Sequence, residues 1–209
     1  MLLESARRLV ERATGWGSLG QEEAGRSIRK RRPVVYDFAD DGETPNNPVL
    51  PLLRYRCAIG LEGRHDPAAV LEEIFSAQHW RRSWRNGVYD FLHFHSHTHE
   101  VLGVARGWVK VRLGGAKGKL LTLNAGDVVV LPAGTGHCRV SKSRNLLVVG
   151  AYPPGGRYDE PRPEQTDLVR AREEIAKVPV PEADPVYGRE GPLISIWCAR
   201  LNSRRSRKN

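Results

Sequence analysis

The chain has 209 residues, with 33 lysines and arginines against 24 aspartates and glutamates, for a formal net charge of +9. That length suits one well-filled core, and no 18-residue apolar stretch exists to form a transmembrane helix. Cys57, Cys138 and Cys198 are odd in number and widely spaced, which argues against a disulfide framework and makes a reducing compartment, the cytoplasm, the expected location.

In chain order, residues 2–13 read as a short amphipathic surface helix that lacks the unbroken apolar core of a signal peptide. A Gly- and charge-rich linker runs on to Pro33. Residues 34–38 and 52–59 are strand-like, separated by a Gly/Pro/Asn turn region. Asp66-Pro67 opens a helix, with an N-cap acid, Pro at the first helical position, and Val70, Leu71, Ile74 and Phe75 on one face. From Val88 to Val149 the texture changes to apolar stretches of five to eight residues bounded by Gly, Pro, Asn or Asp, without helical period. Gly114 to Gly118 is a hairpin-type connection between two of them. Evenly spaced short strands predict a β-sandwich or barrel. Residues 153–163 form a Pro/Gly-rich loop, 166–177 a helix and 193–197 a last strand.

The charge excess has an address. Arg26, Arg29, Lys30, Arg31 and Arg32 lie in the linker, and Arg200, Arg204, Arg205, Arg207 and Lys208 in the C-terminal segment. Neither stretch contains an acid, so the remainder carries 23 basic residues against 24 acidic ones. Such runs are expected to be solvated, with non-specific, salt-sensitive affinity for polyanions at most. Neither a specific nucleic-acid partner nor a membrane partner is expected. The predicted organisation is a helix and basic linker over 1–32, one all-β domain with an N-terminal strand extension over 33–198, and a basic tail over 199–209.

Two fixed-spacing patterns carry the functional information. The first is Gly87, five residues, His93-Phe94-His95, four residues, Glu100, six residues, Gly107; the second is Gly126, five residues, Pro132-Ala133-Gly134, two residues, His137. Leaving aside Phe94 and Ala133, the nine remaining positions coincide by chance, at average usage, on the order of once in a billion chains. These patterns resemble the two sequence motifs of the cupin superfamily, with Ser141 standing where the second motif ends in Asn. The flanking text, from Asp41-Gly-Glu-Thr-Pro-Asn-Asn-Pro to Gly150-Ala-Tyr-Pro-Pro-Gly, is similar to that of the YjlB-like single-domain cupins over roughly residues 34–197. The resemblance implies an all-β fold, the cupin double-stranded β-helix or jelly-roll barrel with a few peripheral helices. It implies no particular reaction.

Alternation along a strand puts Phe91, His93 and His95 on one face. Glu100 is expected to begin the next strand, with Leu102 and Val104 on its own face, and His137 the strand after the Pro132-Ala133-Gly134 turn. Three imidazoles and one carboxylate, gathered from three strands, suit one divalent transition ion, Fe, Mn, Ni or Zn, with about two coordination positions left open. The resemblance places the ligands at the same four residues, His93, His95, Glu100 and His137. His97 and His99 extend the run and open a shifted set of His95, His97 and His99, but only His93 and His95 keep the motif's distances to Gly87 and Glu100. His97 and His99 then belong to the connecting loop, with His99 the expected hydrogen-bonding support behind the ligands. Arg139 shares the His137 face and is the expected cation for a carboxylate-bearing molecule. Cys138 faces away, and Trp84 and Trp108 are expected to fill core or interface.

Two classes of function follow. One is a metal-dependent enzyme acting on a small organic molecule, of dioxygenase or isomerase/lyase type, in which Glu100 could serve as the acid–base group. The other is a non-catalytic cupin that binds a small ligand or a metal. Fold alone does not choose between them. Residues 34–38 and 52–59 either complete the chain's own sheet or add to a partner's, and exposed sheet edges need covering, so a homodimer is expected.

Overall fold

Residues 20–206 are described by a computed structural model. Nine strands form two antiparallel sheets: β1 (Val34–Tyr36), β2 (Leu52–Tyr55), β3 (Arg81–Asn86), β4 (Glu100–Arg106), β5 (Trp108–Leu113), β6 (Lys119–Asn124), β7 (Val128–Leu131), β8 (His137–Lys142) and β9 (Leu147–Tyr152). The larger sheet runs β1-β2-β7-β4-β9-β3 and the smaller β6-β5-β8. This is the expected all-β, cupin-type arrangement, with four α-helices around it among the described residues: α1 (Gln21–Gly25), α2 (Pro67–Ala77), α3 (Leu168–Lys177) and α4 (Pro192–Ser206). None of the helices among the described residues is long and apolar enough to cross a membrane.

Alternation decides which layer each strand residue serves. Leu102 and Val104 of β4, Val129 and Leu131 of β7 and Leu52 of β2 face the smaller sheet, where Val109, Val111, Leu113 and Leu123 complete an inner core. Their neighbours Val101, Val128, Val130, Leu53 and Tyr55 face outward and are covered by Val70, Leu71, Ile74 and Phe75 of α2 and by Trp197 of α4. The central strands β2, β7, β4 and β9 are therefore buried on both faces, which is why β4, β7 and β9 read as nearly continuous apolar runs, whereas the edge strands β1 and β3 are largely exposed. Gly103 makes the outer layer possible: a Cβ there would stand 3.0 Å from both Leu71 Cδ2 and Phe75 Cζ, so only a bare backbone lets α2 sit this close. As expected, α2 starts at Pro67, and the Asp66 side chain accepts hydrogen bonds from the amides of Ala68 and Ala69.

The Gly126-Asp127 turn has a buried clamp behind it. Asp127 accepts from Arg54 Nη2 at 2.7 Å and from the amides of Cys57 at 2.8 Å and Asn124 at 3.2 Å. One carboxylate thereby ties the β6–β7 turn to the end of β2.

Three expectations are corrected. Residues 193–197 are not a strand but the start of α4: the Leu193 amide donates to the buried Asp184 carboxylate, and Leu193, Trp197 and Leu201 turn to the core at helical spacing. The basic C-terminal segment accordingly continues that helix as far as Ser206, and Arg200 pairs with Asp37. The linker is partly built in, because Ala24 is fully buried and Ile28 bridges to Ile59. The strand-like segments at 34–38 and 52–59 are shorter than read, and both extend this chain's own sheet. The helix expected over residues 2–13 lies outside the described residues.

Candidate metal centre

The four motif side chains meet at one open end of the space between the sheets. Glu100 opens β4 of the larger sheet and His137 opens β8 of the smaller. The segment carrying His93 and His95 is extended rather than a full strand. It pairs with β8 through a single antiparallel bridge, in which the amides and carbonyls of His93 and His137 exchange hydrogen bonds at 3.2 and 2.8 Å. Alternation still holds along it: His93 and His95 face the cavity, while Phe94 between them packs with Ala133, Ala171 and Ile175 on the other side.

One ring nitrogen from each of His93, His95 and His137 lies within 4.8 Å of the others, and all three residues are buried. Glu100 Oε2 is 3.2 Å from His95 Nε2 and 3.4 Å from His137 Nε2. The opposite edge of each ring is engaged. Nδ1 of His93 faces the Phe91 carbonyl at 3.2 Å, that of His137 the Thr135 carbonyl at 3.0 Å, and that of His95 the Asp159 carbonyl. A carbonyl can only accept, so each Nδ1 carries a proton, and each Nε2 presents a lone pair when its ring is neutral; when His95 is charged, its Nε2 donates to Glu100 instead. Three such lone pairs and a carboxylate facing one another are the donor set of a divalent transition ion, with the second ring nitrogen held as ligating histidines usually are.

The electrostatics separate the rings around one anion: His93 is held neutral, while His95 is driven toward charge. Burial, and then the neighbouring His137 and His95, drive the His93 pKa down to about 3. Burial works against charge on His95 too, but Glu100 and Asp159 outweigh it and raise that group. Burial would push Glu100 up, yet His95 and His137 hold it well below the usual carboxylate range. Tyr152 is raised by burial and by the nearby Glu100, and its hydroxyl accepts from Trp84 Nε1 at 2.9 Å.

The shifted ligand set is not what the fold assembles. His97 Nδ1 is 2.9 Å from Asp159 Oδ2, on the far side of the loop. His99 points to the other face of the sheet from Glu100. Its Nδ1 accepts from the Ala133 amide, its Nε2 donates to the Pro179 carbonyl, its ring lies 4.8 Å from that of Trp197, and burial lowers its pKa to about 4. The expectation that His99 supports the ligands is therefore corrected: adjacent residues of a strand point oppositely. Arg139 does stand across from Val111 on the inner face, but its guanidinium donates to the Val88 carbonyl and to Asp90, and it does not line the cavity. Cys138 likewise lies off the cavity.

The cavity in front of the four side chains has a volume of about 400 Å³, the size of a small-molecule site. Its walls include residues that sequence reasoning missed or assigned elsewhere. Trp84, expected to fill core or interface, does pack against the inner core and also lines the cavity together with Tyr89, Tyr152, Tyr158 and Arg82. Asp159 is the missed support. Its backbone carbonyl holds His95, and its carboxylate accepts from the amides of Ser96 and His97, fixing the turn after the second ligand position. Only the Pro/Gly-rich loop around it hinted at a part near the site, and no spacing rule linked 159 to 95.

No protein-family model matches the chain. The YjlB protein of Bacillus subtilis (strain 168), itself uncharacterised, is 37% identical over 168 residues, spanning 80% of this chain and 98% of that one. Among solved structures, QdtA, a sugar 3,4-ketoisomerase from Thermoanaerobacterium thermosaccharolyticum in complex with TDP, aligns at a TM-score of 0.33 and 18% identity over 47% of this chain and 74% of its own. Acireductone dioxygenase from Bacillus anthracis, with a cadmium ion in its active center, aligns at a TM-score of 0.30 and 12% identity over 42% and 62% of the two chains. At such scores, nothing about this chain's chemistry follows from either.

Proposed function

The chain belongs to the YjlB family of single-domain cupins, and from that premise we propose that it holds one divalent transition metal, Fe, Mn, Ni or Zn, and acts on a small organic molecule. His93, His95, Glu100 and His137 would be the ligands. The observation that carries the reading is that one ring nitrogen from each of three buried histidines lies within 4.8 Å of the others, beside the Glu100 carboxylate, while the three Nδ1 atoms face backbone carbonyls. Buried histidines kept only for packing have no reason to converge in this way with a carboxylate among them. When bound, such an ion supplies Lewis acidity or access to O2, which spans dioxygenase and isomerase/lyase chemistry.

The chain's own residues supply the rest. His95 and His137 flank the Glu100 carboxylate, and Trp84 holds the Tyr152 hydroxyl in the cavity wall beside it. In the isomerase/lyase version, Glu100 takes up and returns the substrate proton at a carboxylate oxygen. The aromatic walls exclude water from one side of a bound molecule and leave the other side open. The chain is further proposed to form a homodimer through its sheet edge, where Val34 and Val35 of β1 are 42% and 38% exposed.

The test is to load the untagged protein with each of Fe(II), Mn(II), Ni(II) and Zn(II). O2 uptake with small organic acids, and solvent-deuterium exchange into small 2-keto acids and keto sugars, are then followed. Metal-dependent turnover that is lost in Glu100→Gln supports the enzyme reading. A stoichiometric metal with no exchange and no O2 uptake would move the protein to the class of binding proteins.

A further inference from the structure

The cavity mouth carries a cation that the ligand cluster does not use. Arg82 sits on β3 where the register against β9 slips: Arg81 pairs with Tyr152 but Trp84 with Gly150, so β3 holds one extra residue. Arg82 occupies the left-handed region at φ 53°, a conformation that a long side chain adopts only when its surroundings impose it. Gly150 lets this happen, because a Cβ there would overlap the Trp84 ring. The outcome is that Arg82 and Trp84 both line the cavity.

Arg82 is also chemically free. One terminal nitrogen donates to the Gly156 carbonyl at 2.7 Å, and the guanidinium lies 5.5 Å over the Tyr152 ring. No carboxylate pairs with it among the described residues, and its Nε and Nη1 have no protein partner there. The other arginine of the lining, Arg85, is neutralised: both terminal nitrogens are held by Asp66 and Glu72. Arg139 is tied to Asp90. One exposed planar cation, without a carboxylate partner among the described residues, therefore borders the aromatic-walled chamber of about 400 Å³ and also the adjoining cavity lined by Pro153 and Gly156.

We infer that Arg82 is the substrate-binding residue, and that the substrate is a small carboxylate whose planar or apolar body lies along Trp84 and Tyr152. A guanidinium anchored on one side and free on the other matches a carboxylate in two parallel hydrogen bonds. The strained backbone is the cost of aiming it. The inference rests on the reading of the cavity as the substrate chamber of a metal site.

The test uses benzoate, its neutral isostere benzamide, and phenyl phosphate as probes. Dissociation constants are measured by calorimetry on the full chain, metal-loaded and after chelation, with metal content determined on the same samples. The variants are Arg82→Asn, a residue type that tolerates the left-handed backbone, and Arg82→Lys. Expected are benzoate at least tenfold tighter than benzamide, and a benzoate loss of about tenfold to hundredfold in Arg82→Asn, with benzamide unchanged. Arg82→Lys should fall between, and the losses should be equal with and without metal. No benzoate binding to the wild type below about 10 mM overturns the proposal, as does phenyl phosphate binding more tightly than benzoate. An Arg82→Asn variant that binds benzoate normally, or loses both probes alike, overturns it too. A wild type that takes up no metal on any loading, yet still discriminates through Arg82, would sink the metal reading while leaving this one standing.

Discussion

Asp127→Ala tests whether the second-motif turn is held by the clamp the structure shows. The Arg54–Asp127 pair is 2.7 Å long, with side chains only 10% and 2% exposed. Removing the carboxylate strands a buried guanidinium whose remaining partner is the Thr122 carbonyl, and it also leaves the amides of Cys57 and Asn124 without their acceptor. Breaking one side of a buried pair costs about 3–5 kcal/mol. In a domain of this size each kcal/mol lowers the melting temperature by about 2–4 °C, so thermal denaturation should show a fall of roughly 10 °C. The double variant Arg54→Met/Asp127→Ala should recover part of that loss, since the same two amides stay unmet but the uncompensated buried charge is gone. A fall below about 3 °C in the single variant, or a double variant no more stable than the single, would refute the clamp.

Other outcomes follow from the same geometry. Burial would raise the Asp66 carboxyl, but Arg85 and the amides of Ala68 and Ala69 outweigh it and hold the group below its ordinary 3.8. Its contribution is thus complete above pH about 4 and lost as pH falls through the lowered value. Asp66→Ala should cost about 1 kcal/mol at pH 7, and its stability should converge on the wild type's in strong acid; a deficit constant with pH would contradict this. Gly103→Val should lower stability by about 1–3 kcal/mol by forcing α2 off the sheet, read by urea unfolding; an unchanged midpoint would refute the close packing. Light scattering at micromolar concentration should give about twice the 23.4 kDa of one chain, whereas a mass near 23 kDa would sink the dimer.

What was legible in the sequence was whatever depends on local period and spacing. The motif distances located Glu100 and His137 at strand starts, alternation put Glu100 with Leu102 and Val104 on the inner face, and Asp66-Pro67 marked a helix start. The misreadings have physical causes. Leu193 to Trp197 is a short apolar run in which strand and helix look alike; only by reading on to Leu201 does the four-residue period emerge. Arg139 faces inward as alternation demands, but Asp90, from a different segment, takes its guanidinium. His99 was judged by nearness in sequence to Glu100, although nearest neighbours in a strand are on opposite faces. Asp159 and Arg82 reach the site through a loop and a bulge, and neither device leaves a periodic trace. Contacts made across the chain by irregular backbone are what a linear pattern omits.

The most direct measurement is the metal content of untagged protein in the wild type, His93→Ala, His137→Ala and His97→Ala. The account predicts about one divalent ion per wild-type chain, most of it lost in His93→Ala and His137→Ala, and a nearly unchanged content in His97→Ala. A His97→Ala variant that comes out empty while His93→Ala keeps its metal would contradict the assigned site.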